Sequence, residues 1–432
     1  MPDTLEIVHA LYCDFFERGV RYFFPEAQLT AKGSRPESSP SLSFHSRTDG
    51  SVDLDWMGTR YHLERSGHSF TEDQLRLVGA IGGVLSARYR GIFFAESAAS
   101  TSHLFEGLAE DRYVSAFLDH SPYLDERGLP TERDVVADAI EVLRESSLST
   151  YENRRIATGV ILTGDGAELP RGAVPYTSAL VSIKSFHRLC DGLLTVFLVN
   201  PKGMLVDLVD VARYAEGYQE APLPAPSADR YRAHCHATIS GGNICLVLTP
   251  NGEIKVFAGG VQVFHFLEGR WRLTDMREKY HEFRRAVGDG ALAERLFTAA
   301  LNLSEHRRGG LFVVLDQPES AHGLVATEDL LNNHAPASSS QVNYLLRQKS
   351  VLDMDLTVLQ SIARVDGGIV TDRAGRLLAF GAILRTMGEP LAAQEGGRTT
   401  AAVYASRFGL ALKISEDGLV SFYRGGAKVW EI

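Results

Sequence analysis

Several residue groupings in this chain have the types and spacing that chemistry requires. His234-Cys235-His236 sets three metal-ligating side chains in a row. On a strand alternate residues share a face, so only the two histidines converge, whereas zinc normally takes three or four protein ligands. No CxxC or HxxxH spacing supplies the rest, and polar residues of a strand are the better reading. Ser240-Gly241-Gly242 and Ala258-Gly259-Gly260 carry enough glycine to approach a phosphate closely. Neither leads into a helix or is followed by Lys-Ser or Lys-Thr, so the phosphate-loop and dinucleotide fingerprints fail and hairpin turns or bulges remain. Arg270-Trp271-Arg272 has the types to stack a base but fits a half-exposed strand edge, and Lys184-Ser-Phe-His-Arg188 reads as a solvated turn. Asp165-Gly166-Ala167 reads as a loop turn. There is no Gly-x-Ser-x-Gly elbow and no Cys–His pairing in a helical or elbow context.

The elements that must position any site follow from composition and periodicity. At 432 residues, 44% hydrophobic and 23% charged, the chain suits two to four globular domains at roughly 100–200 residues each. A net charge of −10 argues against a non-specific nucleic-acid or anionic-membrane binder. Four cysteines without a CxxC pair point to a reducing, cytoplasmic setting. The longest apolar runs, such as 193–199, fall far below the roughly 20 residues that span a bilayer.

Residues 1–150 read as a mixed α/β region. Thr30 to Gly50 is rich in Ser, Pro and Gly and is expected to be an exposed loop, followed by a half-buried strand at Val52–Trp56. Leu75, Val78, Ile81 and Leu85 recur at helical spacing behind Thr71, and Val136, Ile140 and Leu143 share one face of a later helix. Residues 151–284 read as a mainly antiparallel β module. Its candidate strands are 159–162, 179–183 and 194–199, with hairpins at 244–257 and 264–273, and the proline-rich stretch 221–227 is an exposed connection. Residues 285–432 return to α/β. An apolar helix stripe, Leu292 to Leu303, is closed by Gly309-Gly310 and runs into a buried strand at 311–315. Helical patterns between Tyr344 and Ala363 precede strands at 368–370, 377–380, 410–414 and 419–423, giving a mixed sheet flanked by helices.

Four landmarks stand in order along that last region: Arg307-Arg-Gly-Gly-Leu-Phe-Val-Val-Leu315, Asp366-Gly367-Gly368, Gly396-Gly-Arg398-Thr399-Thr400-Ala-Ala402, and Ser415-Glu416-Asp-Gly418. The set resembles the diadenylate cyclase domain, as in the DNA-integrity scanning protein and the membrane-bound cyclase. The landmarks stand where that family has Arg-x-Gly-Ala-Leu, Asp-Gly-Ala, Gly-Thr-Arg-His-Arg-Ala-Ala and Ser-Glu-Glu-Thr-Gly. The resemblance covers about the last 150 residues. It implies that Asp366 handles a catalytic metal, Mg²⁺ or Mn²⁺, with Gly367 and Gly368 lining the ribose side. Arg398, Thr399 and Thr400 would face phosphates, and Ser415 and Glu416 the far rim.

The departures from the family bear on activity. Thr399 and Thr400 replace the His and second Arg that grip the ATP phosphates. Each lost charge-assisted contact removes on the order of 1.5–3 kcal/mol, and the two together slow a transition state roughly 10²–10⁴-fold. The expectation is a non-catalytic nucleotide or cyclic-dinucleotide sensor, similar to cyclase-derived sensor proteins of bacterial signalling and defence systems. The alternative is an active cyclase condensing two ATP, which would need self-association and a replacement cation such as Arg364 or Arg407. A protein partner without a ligand is the third reading.

Overall fold

The computed structural model describes residues 4–34, 40–48, 50–65, 69–94, 102–123, 133–164, 172–183, 186–331, 343–385 and 396–432. The chain is mixed α/β and divides into two compact units, one of residues 1–222 with 233–275 and one of residues 223–232 with 276–432.

The first unit opens with helix α1 (Thr4–Phe23), whose Tyr12, Phe16 and Val20 repeat every four residues and are buried. Phe16 faces an antiparallel sheet of β1 (Gln28–Ser34), β2 (Leu42–Thr48), β3 (Ser51–Trp56) and β4 (Thr59–Glu64), in the order β1-β4-β3-β2. Phe16 stacks on Trp56 at 5.2 Å, and the Trp56 indole N–H donates to the Tyr12 carbonyl at 3.1 Å. Strand β3 alternates buried and half-buried residues as its pattern requires. The stretch expected as a loop at 30–50 instead supplies β1 and the edge strand β2. Strand β2 is exposed along almost its whole length, so no buried face imprints alternation on its sequence, and pairing with β3 alone makes it a strand. Helix α2 (Glu72–Phe93) starts where the sequence places it, with Thr71 and Gln74 closing a reciprocal capping box.

Helices α3 (Ala109–Leu118) and α4 (Val135–Leu148) lead through the two-residue strands β5 (Thr150–Tyr151) and β6 (Arg154–Arg155) to a larger sheet. Its strands are β7 (Thr158–Leu162), β8 (Thr195–Val199), β9 (Leu205–Asp210), β10 (Ile244–Leu248), β11 (Ile254–Ala258), β12 (Val261–Leu267) and β13 (Arg270–Leu273), ordered β13-β12-β11-β10-β7-β8-β9. Every pair is antiparallel except β7 with β8. Short helices α5 (Val211–Ala215) and α6 (Arg232–Ala237) lie between β9 and β10. Both predicted hairpins form. The strand expected at 179–183 is a 3₁₀ turn, Ser178–Ser182, of which only Leu180 is buried. Its backbone bonds from the Leu180 N–H to the Thr177 carbonyl and from the Ile183 N–H to that of Leu180 are local, and among the described residues no strand pairs with it.

Asp111 ties the helices to this sheet. Buried on α3, it accepts from the Trp271 indole on β13 at 2.6 Å and from the Arg144 guanidinium on α4 at 2.7 and 3.0 Å. Burial pushes its carboxyl up, and Arg144 opposes that shift. Asp134 caps α4 through the Ala137 N–H at 2.9 Å and pairs with Arg112, the buried neighbour of Asp111 in the chain, at 3.0 Å.

The second unit carries α7 (Met276–Val287), α8 (Gly290–Glu305), β14 (Gly310–Leu315), α9 (Ala321–Leu324), α10 (Asn343–Leu346), α11 (Leu356–Ala363), β15 (Gly368–Asp372), β16 (Leu377–Ala382), α12 (Gly397–Ala405), β17 (Gly409–Ile414), β18 (Val420–Arg424) and β19 (Ala427–Glu431). The sheet runs β16-β15-β14-β17-β18-β19, with β14 parallel to β15 and antiparallel pairs elsewhere. All six residues of β14 are buried. Asp289 caps α8 through the Leu292 N–H at 2.7 Å. That helix ends at His306, with Arg307 in the left-handed region (φ 50°), earlier than the glycine pair expected to stop it, and Gly310 already belongs to β14. Segment 223–232 is fastened to α8 by Asp229 and Asn302, which exchange bonds of 2.6 and 2.7 Å. Ala225 and Ala228 are buried, so the proline-rich stretch is only partly an exposed connection.

Entry into β15 needs a glycine. Gly367 has φ +111°, and a β-carbon there would stand 2.6 Å from the Gly381 carbonyl oxygen. Gly367→Ala is expected to destabilise the second unit by about 1–3 kcal/mol, seen as an earlier unfolding step in a urea titration. In the first unit, Asp111→Ala strands the Trp271 and Arg144 donors and should cost roughly 2–4 kcal/mol. Asp111→Asn keeps an acceptor oxygen and should lose less in the same titration.

Candidate functional site

The polar residues singled out in the last region converge at one end of the second sheet. Because β14 and β15 run parallel, with Phe312 opposite Ile369, the entrance of β15 lies beside the start of β14. Antiparallel β17 finishes at the same end, Ile414 opposite Gly310. Asp366 precedes β15 and is exposed, its Oδ1 taking the Gly367 N–H at 3.1 Å. Gly368 is buried as the first residue of the strand.

Arg398 stands in the first turn of α12, where Gly396, the residue before the helix, offers no side-chain cap. The guanidinium donates to Glu416 Oε1 at 3.0 Å, and its other nitrogen lies 3.8 Å from Asp366 Oδ1. It also lies against the α-carbon side of Gly309, where any side chain would meet it. Arg398 and two residues 32 and 18 positions from it in sequence thus share one ionic contact set, Asp366 on one side and Glu416 on the other. All three are at least a third exposed, so the pairs are screened and readily exchanged for another ligand.

Thr399 and Thr400 follow in the same turn, both half-buried, their backbone N–H groups bonded to the Gly396 carbonyl at 2.9 and 3.2 Å. Thr399 Oγ1 accepts from Lys413 Nζ at 2.9 Å. Ser415 holds the β17–β18 turn by accepting the Leu419 N–H at 3.1 Å, and Ser304 of α8 anchors that turn at the Gly418 carbonyl. Ser415 is therefore a bracket that presents Glu416. The one mark of Lys413 in the sequence is a lysine inside the apolar run Leu410-Ala-Leu-Lys-Ile414, which no spacing rule singles out.

Of the replacement cations, Arg407 lies past the C-terminal end of α12, whereas Arg398 is in its first turn, and the Arg407 guanidinium sits over the Tyr404 ring. Arg364 caps α11 and is exposed. Among the described residues no group of three His, Cys, Asp or Glu side chains can hold a metal ion. Asp366 therefore suits Mg²⁺ or Mn²⁺ only as one carboxylate alongside ligand phosphates and water, which is how Mg²⁺ is commonly held.

The remaining motifs resolve into structure. His234-Cys235-His236 lies on α6 instead of a strand, so the two histidines point about 200° apart; His234 Nε2 bonds the Gly192 carbonyl at 2.9 Å. Trp271 is buried rather than free to stack a base. Ala258-Gly-Gly is the β11–β12 turn. Phe186 stacks on Phe197 at 4.7 Å, while Lys184 and Ser185, like Asp165-Gly166-Ala167, lie outside the described residues. A Cys–His pairing does occur on a helix, against expectation. Cys13 Sγ is 3.7 Å from His9 Nε2, which is 3.1 Å from Thr59 Oγ1. All three are buried, so no substrate reaches them.

No family model matches this chain, and no curated protein matches it. Among solved structures, a hypothetical membrane spanning protein from Bacillus cereus is similar at 23% sequence identity over 32% of this chain, with a TM-score of 0.24. This chain spans 61% of that protein's length. A double mutant of DacA from Staphylococcus aureus is similar at 17% identity, covering 32% of this chain and 83% of its own, with a TM-score of 0.23. Likenesses of this size assign neither a fold nor an activity to the present chain. Among the described residues no helix is long and apolar enough to cross a membrane.

Proposed function

We propose that the second unit is a non-catalytic receptor for a nucleotide or cyclic dinucleotide, built on a diadenylate-cyclase-like domain and serving bacterial signalling or defence. The observation that supports this is the meeting of Asp366, Arg398 and Glu416 at one sheet end, in the order and places the resemblance assigns to ligand contacts. Phosphoryl condensation draws its rate from cations and metal around the transferring group. Thr399 and Thr400 offer hydroxyls there, which bind a phosphate without neutralising it. In the resting protein Arg398 is engaged by two carboxylates. An arriving phosphate takes the place of Glu416, and a divalent ion carried with the nucleotide draws Asp366 away. Mg²⁺ or Mn²⁺ is then a companion of the ligand. The first unit is a scaffold, and self-association or a protein partner would relay the signal.

Isothermal titration with ATP and with cyclic di-AMP, each with Mg²⁺ or Mn²⁺, tests this, followed by chromatography of the ATP sample. Binding is expected without a new product, weakened more than tenfold in Arg398→Ala. A cyclic dinucleotide peak abolished by Asp366→Ala would make the protein a cyclase. No heat from either ligand would sink the receptor reading. Bound ligand at about 100 times its Kd should also raise stability by about 2.7 kcal/mol. Because Glu416 competes for Arg398, Glu416→Gln is expected to tighten nucleotide binding severalfold in the same titration; weaker binding would mean that the carboxylate itself touches the ligand.

A further inference from the structure

Lys413, at this end of the sheet, has no ion-pair partner among the described residues. Lys413 lies on β17 between buried Leu412 and Ile414, opposite Leu311 of β14 and Ser421 of β18. Leu311 belongs to the apolar cluster that Ala402 and Ala405 of α12 cover, so the lysine stem runs beneath that helix and its ammonium emerges at Thr399. The side chain is half-buried. Among the described residues no carboxylate forms an ion pair with it. Glu416 and Asp366 are engaged by Arg398, and Glu431, on β19, is engaged by Ser421 and Lys428.

Withdrawing an ammonium from water is unfavourable unless charge or several hydrogen bonds compensate, and here a single neutral oxygen takes one of its three protons. That contact also orients its partner. With a lone pair of Thr399 Oγ1 occupied by Lys413, the hydroxyl proton is left to donate elsewhere. Two adjacent side chains thus present donors, one of them charged, and among the described residues no carboxylate pairs with the ammonium. We infer that Lys413 is a phosphate-contacting residue of this site, with the Thr399 hydroxyl as its co-donor. It restores from the neighbouring strand part of the charge that Arg398-Thr399-Thr400 lacks. Arg398 must first exchange its carboxylates, whereas Lys413 is available to the first anion that arrives. The inference rests on the site holding a phosphorylated ligand, and it names the atom that meets the phosphate.

The test compares wild type, Lys413→Met and Lys413→Arg in titrations with ATP, inorganic pyrophosphate and adenosine. Lys413→Met should weaken ATP and pyrophosphate by roughly 10–100-fold and leave adenosine unchanged, while Lys413→Arg should stay within a few-fold of wild type. The salt dependence of ATP binding should flatten in the Met variant. Unchanged ATP and pyrophosphate affinities in Lys413→Met would overturn the inference. Should that variant not fold, Lys413→Gln carries the same comparison. Lys413-dependent pyrophosphate binding with ATP no tighter would discard the nucleotide reading and keep Lys413; a wild-type protein that binds neither discards both.

Discussion

The second unit depends on strand β14 being buried throughout and paired on both sides, to β15 in parallel and to β17 in antiparallel register. A strand so enclosed has no edge and no solvent face, and its six residues are apolar or glycine. Charged groups are thereby excluded from its middle and gather where the strands begin and end. Asp366, Arg398 and Glu416 come from three separate segments and meet at the end where β14 and β15 begin and β17 stops. The short approaches at Gly309 and Gly367 are part of the same constraint, since backbone and guanidinium occupy the space that side chains would fill.

The first unit is organised around a different group. Asp111 is a buried carboxylate shared by an indole and a guanidinium, and it joins α3, α4 and β13 in a single core. Arg144 lies in addition over the Phe266 ring at 4.2 Å, so one cation serves as both ion-pair partner and packing surface. The N-terminal helices and the β-rich strands fold together through these contacts rather than as two separate bodies.

The sequence revealed elements wherever burial imposed a period. Strand β3, the capped helix α2 and both hairpins of the larger sheet were legible because one face of each is covered and turn residues mark their ends. Strand β2 was not, since exposure on both faces leaves composition as the only clue and Ser, Thr and Arg suit loops equally well. The turn at 178–182 misled for the opposite reason, being apolar in composition while only Leu180 is buried. In the site, Asp366, Arg398 and Glu416 could be selected from ordered landmarks. Lys413 could not, because its place beside Thr399 comes from strand register and from the helix packed over it, neither of which a linear pattern displays.

Segment 223–232 belongs to the second unit, whereas 233–275 returns to the first before the chain crosses over again. The second unit is therefore discontinuous in sequence, and no single cut releases it whole. A fragment beginning at 276 would leave the buried Asn302 amide without Asp229, and one beginning at 223 would carry strands β10 to β13 away from the sheet they complete. A protein carrying this unit alone must keep 223–232 together with 276–432 while leaving out the intervening 233–275.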